Sequence, residues 1–224
     1  SAVIGISHSG ITKTTVDALR AVRAHGGRTV GITHFADRPI STVSDATLIA
    51  GESPDLSRCH TKCYVAEALG AAQLALDWRI TAGREPRSQV EPVRRNLESL
   101  PDLLAETLRS TEAQSAEMAQ ALLPRHTVSI FGGGPNLSTA CEAALKIRET
   151  SYLPALGMEI EDFLHGSWQS LDRDALVFVV ATQGRSRARA LDLVRSAHTV
   201  GAHVVALASE GDREVETAAD EVVT

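Results

Sequence analysis

Long apolar runs, aromatic residues, cysteine and surplus positive charge are all scarce in this 224-residue chain. No apolar run approaches the ~18 residues of a membrane-spanning helix, and no charged leader followed by an apolar stretch marks a signal peptide. Lys plus Arg number 22 against 28 Asp plus Glu, and no basic cluster stands ready to neutralise a tract of phosphates. That excludes duplex nucleic acid as the main partner. Three cysteines, an odd number, fit reduced thiols in a cytoplasm better than a disulfide framework. Aromatics are only 4% of the chain, so the core must be built from Val, Ile, Leu and Ala. Missing too are a G-x-G-x-x-G or G-x-x-x-x-G-K-[ST] loop, a nucleophile elbow and a Ser-His-Asp order.

What is present repeats itself. A short apolar run at 3–6 precedes SHSGIT, and an amphipathic helix over 14–25 ends on Gly26-Gly27, where left-handed backbone is easily adopted. Strands follow at 29–33 and 46–50. The same order returns with a strand at 178–181, a helix over 186–199, Gly201, and strands at 204–207 and 221–224. One offset of 175 positions aligns Gly26 with Gly201, Asp45 with Asp220 and Ser7 with Thr182, without a gap. Short apolar strands alternating with amphipathic helices predict parallel sheets covered on both faces.

Between the copies the spacing of Ala66, Leu69, Ala72 and Leu76 predicts a helix over 64–80. The polar, proline-containing stretch 83–92 reads as a linker. Two further helical segments carry Leu97, Leu100, Leu104 and Leu108, then Ala116, Met118, Ala119 and Leu122. A strand at 128–131 leads through GGGPN into a helix over 138–151. The first copy has no counterpart of that strand and helix, so it is expected to lack its opening, and the second is expected to lack a tail.

SHSGIT stands between a strand's carboxyl end and a helix N-terminus, where a parallel sheet places ligands and the helix dipole favours an anion. Ser7, Ser9 and Thr12 offer hydroxyls, His8 a further donor, and Gly10 a close backbone approach. The plainer alternative is a capped helix, yet three hydroxyls and a glycine exceed one cap's needs. The equivalent TQGRSRAR carries Arg185, Arg187 and Arg189 and reads as a solvated basic helix start. Glu142, Lys146 and Glu149, spaced by four and three, share one helical face, which by itself reads as an ordinary ion-pair row. His165 follows three acidic residues that fit a solvated loop. Cys59, His60 and Cys63 put three metal-ligand types in one turn, but zinc sites usually draw a second pair from a distant segment, so no metal site is expected.

The combination of SHSGIT, HTK (60–62), EAALKIRETSY and DFLHG resembles the tandem sugar isomerase (SIS) domain family, which includes the isomerase half of glucosamine-6-phosphate synthase and stand-alone phosphosugar isomerases and deaminases. The resemblance implies an α/β fold of two pseudo-repeated SIS domains, each a three-layer α/β/α, flavodoxin-like parallel sheet flanked by helices, the first N-truncated. Its expected bounds are 1–84, a helical linker 85–110, and 111–224.

By the same resemblance, Ser7, His8, Ser9 and Thr12 hold a sugar phosphate and Glu149 shuttles a proton between C1 and C2. Lys146 and Glu142 line or order the site, and His165 promotes ring opening from a neighbouring subunit, which implies a homodimer with a shared site. The implied activity is isomerisation or isomerising deamination of a hexose or amino-sugar 6-phosphate in the cytoplasm. A regulatory phosphosugar binder, or the isomerase half of an aminotransferase, is the alternative. One carboxylate can move the proton through a cis-enediol or enolamine, and no metal or organic cofactor is needed. The sequence departs from the family's usual SQSGET at His8 and Ile11, and from its VASTK segment at 58–60.

Overall fold

The computed structural model describes residues 2–51, 55, 57–122 and 127–224, for 121 and 122 the backbone alone. Two compact units divide the chain, residues 1–106 and 107–224. In the first, strands β1 (Ala2–Ile6), β2 (Arg28–Thr33) and β3 (Ala46–Ile49) pair in parallel in that order. Helices α1 (Lys13–Ala24) and α2 (Pro39–Val43) cover one face, and α3 (Thr61–Thr81) the other. Small residues allow this closeness: a Cβ on Gly5 would stand 2.7 Å from Leu19 of α1, and one on Gly70 of α3 would stand 2.9 Å from Leu48. Val16, Leu19, Ile40 and Val43 form the core under α1 and α2.

Helix α4 (Arg87–Glu98) occupies most of the stretch expected as a linker, so only 82–86 lie between it and α3. Pro92 sits inside α4. The expected break between Leu108 and Ala116 does not occur, since α5 (Leu100–Leu122) runs unbroken past both. The break falls at Ser99 instead. Pro101, in the first turn of α5, fits a helix start and could not continue α4.

In the second unit five parallel strands run in the order β5-β4-β6-β7-β8, with β4 Val128–Gly132, β5 Ala155–Glu159, β6 Leu176–Ala181, β7 His203–Ala208 and β8 Glu221–Val223. Alternation along the strands separates two cores. Val128, Ile130 and Ala155 pack on Ala140 and Ala144 of α6 (Asn136–Ser151). Phe131, Val177, Val179 and Val204 pack on the other face with Ile160 and Phe163 of α7 (Ile160–Leu164), α8 (Arg187–Thr199) and Val215 of α9 (Arg213–Ala218). Helix α6 lies so close to β5 that a Cβ on Gly157 would stand 2.5 Å from Cys141 Cα and 2.6 Å from Ala140 O. Backbone cannot yield as a flexible side chain can. Gly157→Ala is expected to cost about 1–3 kcal/mol, read as a lower urea midpoint at unchanged slope.

Elements of the two units correspond at the offset of 175. β2 and β7 match residue for residue, β1 falls within β6, β3 overlaps β8, and α1 and α2 fall within α8 and α9. The correspondence extends to single bonds. Asp45 accepts from the Thr29 amide at 2.8 Å and donates its own amide to the Thr29 carbonyl; Asp220 does both with Val204, 175 positions on.

Candidate functional site

The loop between β1 and α1 is shaped by glycine. Gly10 adopts φ 66°, and a Cβ there would stand 2.6 Å from Arg38 Cβ and 2.9 Å from Thr33 Oγ1, so the loop folds tightly against the turn before α2. Its hydroxyls do not cap the helix: Thr12, at the N-cap position of α1, makes no side-chain capping bond. Ser7 and Thr12 instead share a hydrogen bond of 2.8 Å, and Ser7 Oγ accepts from the Gly10 amide at 3.2 Å. Ser9 Oγ receives only a 3.4 Å bond from the Ile11 amide. Three hydroxyls therefore gather beside a helix N-terminus that none of them caps, an arrangement suited to an oxyanion.

His8 turns toward other residues. Its ring centroid lies 4.5 Å from that of His60 and 5.3 Å from that of His34, and its Nε2 lies 3.9 Å from Cys63 Sγ. Burial, with the His60 and His34 rings adding to it, holds His8 below the ordinary imidazole pKa. The Asp55 carboxylate accepts from the Lys62 amide at 3.1 Å and the Cys63 amide at 3.4 Å, fixing the start of α3. Hydrogen bonds from Ser57 chiefly hold Asp55 far below the carboxylate range. Cys59, expected beside His60 and Cys63, is not among the side chains that converge with His8.

In the second unit α6 does place Glu142, Lys146 and Glu149 on one face. Lys146 Nζ lies 2.6 Å from Glu149 Oε2 and 3.4 Å from Glu142 Oε1. Burial alone would lower the Lys146 pKa, but the two carboxylates outweigh it and raise it, keeping the ammonium charged. His165 follows α7 with its side chain 77% exposed and Nε2 3.2 Å from Glu161. The preceding acidic residues are not a solvated loop. Glu159 closes β5 and caps α7, accepting from the Glu161 and Asp162 amides.

The basic start of α8 is likewise paired rather than solvated. Arg187 meets Asp212 at 2.5 and 2.6 Å and Glu214 at 2.9 Å, while Arg189 bonds Glu161 and Asp192. A cavity of about 700 Å³ opens beside it, bordered by Gly133, Asn136, Thr182 and Arg185 among others. The Arg187 guanidinium chiefly lowers the Asp212 pKa, so this carboxylate stabilises the fold above the ordinary Asp range, and the contribution fades as pH falls through the depressed value. Asp212→Asn should melt earlier than the parent at neutral pH, and thermal melts should show the gap closing below about pH 4.

Comparison with known proteins agrees with this architecture. The SIS domain profile matches residues 1–72 and 121–224. The "Glutamine--fructose-6-phosphate aminotransferase [isomerizing]" of Chlorobaculum tepidum is 30% identical over 222 residues, covering 99% of this chain and 36% of that protein. The chain thus spans about a third of the length of the curated relatives it matches. The C-terminal domain of glucosamine-fructose-6-phosphate aminotransferase from Francisella tularensis superposes with a TM-score of 0.94 at 18% identity, covering all of this chain and 63% of that one. Glucosamine-6-phosphate deaminase from Thermotoga maritima gives 0.70 at 19%, covering 94% and 61%. At those identities the two structures speak for the fold. Among the described residues no helix is long and apolar enough to cross a membrane.

Proposed function

We propose, for a chain that belongs to the SIS domain family, that it binds a hexose or amino-sugar 6-phosphate and moves a proton between C1 and C2. The observation that carries the reading is the hydroxyl loop: Ser7, Ser9 and Thr12 stand at an uncapped helix N-terminus at the carboxyl end of β1. In this reading the loop hydroxyls hold the phosphate, while the His8 ring turns from them toward His60 and Cys63. Glu149 takes the proton from one carbon and returns it to the next. Lys146, charged and flanked by both carboxylates, positions Glu149 and balances the negative charge that builds on the enediol oxygens. Glu142 holds Lys146 from its other side.

The exposed imidazole of His165 supports a role in ring opening for a sugar bound by a partner subunit, so a homodimer in the cytoplasm belongs to the same proposal. Isomerisation, isomerising deamination and amino transfer all pass through this proton shift. Amino transfer is favoured by the name of the Chlorobaculum relative. A binder that only senses phosphosugars has no use for a carboxylate braced by a lysine.

Calorimetry with fructose 6-phosphate and glucosamine 6-phosphate tests the reading. Ser7→Ala is expected to weaken binding about 10- to 150-fold, the worth of one hydrogen bond to a charged group. Unchanged affinity in Ser7→Ala and Thr12→Val would remove the loop from the site.

A further inference from the structure

We propose that His8, His60 and Cys63 form a binding site for a zinc-class divalent cation in the first unit. Among the described residues these are the three metal-ligating side chains that converge, each offering an atom within 4.8 Å of the others. The second ligand segment that sequence spacing alone does not supply is the β1–α1 loop, which brings His8 against the start of α3. Zinc bonds of about 2.3 Å to sulfur and 2.0–2.1 Å to nitrogen place tetrahedral sulfur and nitrogen ligands about 3.5 Å apart. His8 Nε2 and Cys63 Sγ, at 3.9 Å, need only a small contraction. A thiolate with two imidazoles selects zinc or cobalt over magnesium and calcium.

A further observation points to a ligand. His8 Nδ1 and Glu67 Oε1 are buried without a hydrogen-bond partner and face each other at 4.0 Å. An imidazole bound to metal through Nε2 donates its Nδ1 hydrogen to a carboxylate in many metal sites, and Glu67 stands where that carboxylate belongs. A slight shift of His8 toward a cation would have to be matched by Glu67, one turn beyond Cys63 on α3, for the pair to close.

His34 Nδ1 lies 4.0 Å from the same sulfur but outside the converging group, so the protein supplies three ligands and leaves a fourth position for water or an anion. On binding, the Cys63 S–H bond breaks, a sulfur–metal bond forms, and the proton passes to solvent. The site stands independently of the sugar-phosphate reading, because metal alone reveals it.

Titration of the full chain with Co²⁺, followed by absorption and by metal analysis after dialysis, is the test. One Co²⁺ per chain, intense tetrahedral bands, a thiolate charge-transfer band and displacement by Zn²⁺ are expected. Cys63→Ser should abolish the charge-transfer band, and Cys59→Ser should keep it. Because Cys63 is buried, His60→Ala provides a second variant at an exposed position, with at least a tenfold loss of Co²⁺ affinity expected. Glu67→Gln should weaken Co²⁺ about 10- to 100-fold with its spectrum unchanged, as a positioning residue would. Absence of stoichiometric Co²⁺, a charge-transfer band that survives in Cys63→Ser or vanishes in Cys59→Ser, or unaltered affinity in His60→Ala would each overturn the site.

Discussion

Glu149→Gln is expected to slow exchange of the C1 and C2 hydrogens of a hexose 6-phosphate with deuterated solvent by about 10²–10⁴-fold, while binding of the sugar phosphate changes little. The substitution preserves shape but replaces the basic carboxylate oxygen that receives the carbon-bound proton with a weakly basic amide oxygen. An amide has no comparable basicity, so the step loses its base. It also replaces the 2.6 Å ion pair between Lys146 and Glu149 with a contact to a neutral amide, while the Glu142 carboxylate stays at 3.4 Å. Proton NMR in deuterium oxide reads the exchange directly, ahead of any later deamination or amino transfer. Exchange at the parent rate would dismiss Glu149 as the proton carrier, whatever the loop binds.

The largest loss of stability is expected from Phe131→Ala. Phe131 is fully buried, and its ring centroid stands 4.3 Å from that of Phe163 in a core otherwise built of Val, Ala, Leu and Ile. Truncation removes the transfer energy of a large side chain, leaves a void among stiff β-branched neighbours, and costs the ring pair. About 3–5 kcal/mol is expected, a large share of a typical domain's stability. Urea unfolding of the second unit measures it. A loss under about 1 kcal/mol would mean that α7 collapses into the space.

The repeat was readable because both hydrophobic period and turn chemistry recur at one offset, and Gly26 and Gly201 indeed both take positive φ, 75° and 86°. The shared face of Glu142, Lys146 and Glu149 was readable for the same reason, since helical spacing fixes it. Strand β5 (Ala155–Glu159) was not, because its Gly157 serves closeness to α6 rather than a strand pattern. The ion pairs of Arg187 escaped too, as Asp212 lies 25 residues away, beyond β7. His8 beside Cys63 is a harder case still: 55 positions separate them, and only the fold of β1, β2 and α3 brings the two together. Local periodicity carries elements; tertiary proximity of single polar atoms does not pass through it.

Strand β8 spans three residues and pairs with β7 through three positions, too short a ladder to resist slipping by itself. A slip of one residue would turn every side chain of the strand to the opposite face. Asp220 stands immediately before it, gripping Val204 through carboxylate and amide together, and Asp45 grips Thr29 in the same way before β3. Each aspartate therefore works as an indexing pin: the outer strand can enter the sheet in one phase only, and its few residues need not encode that phase themselves.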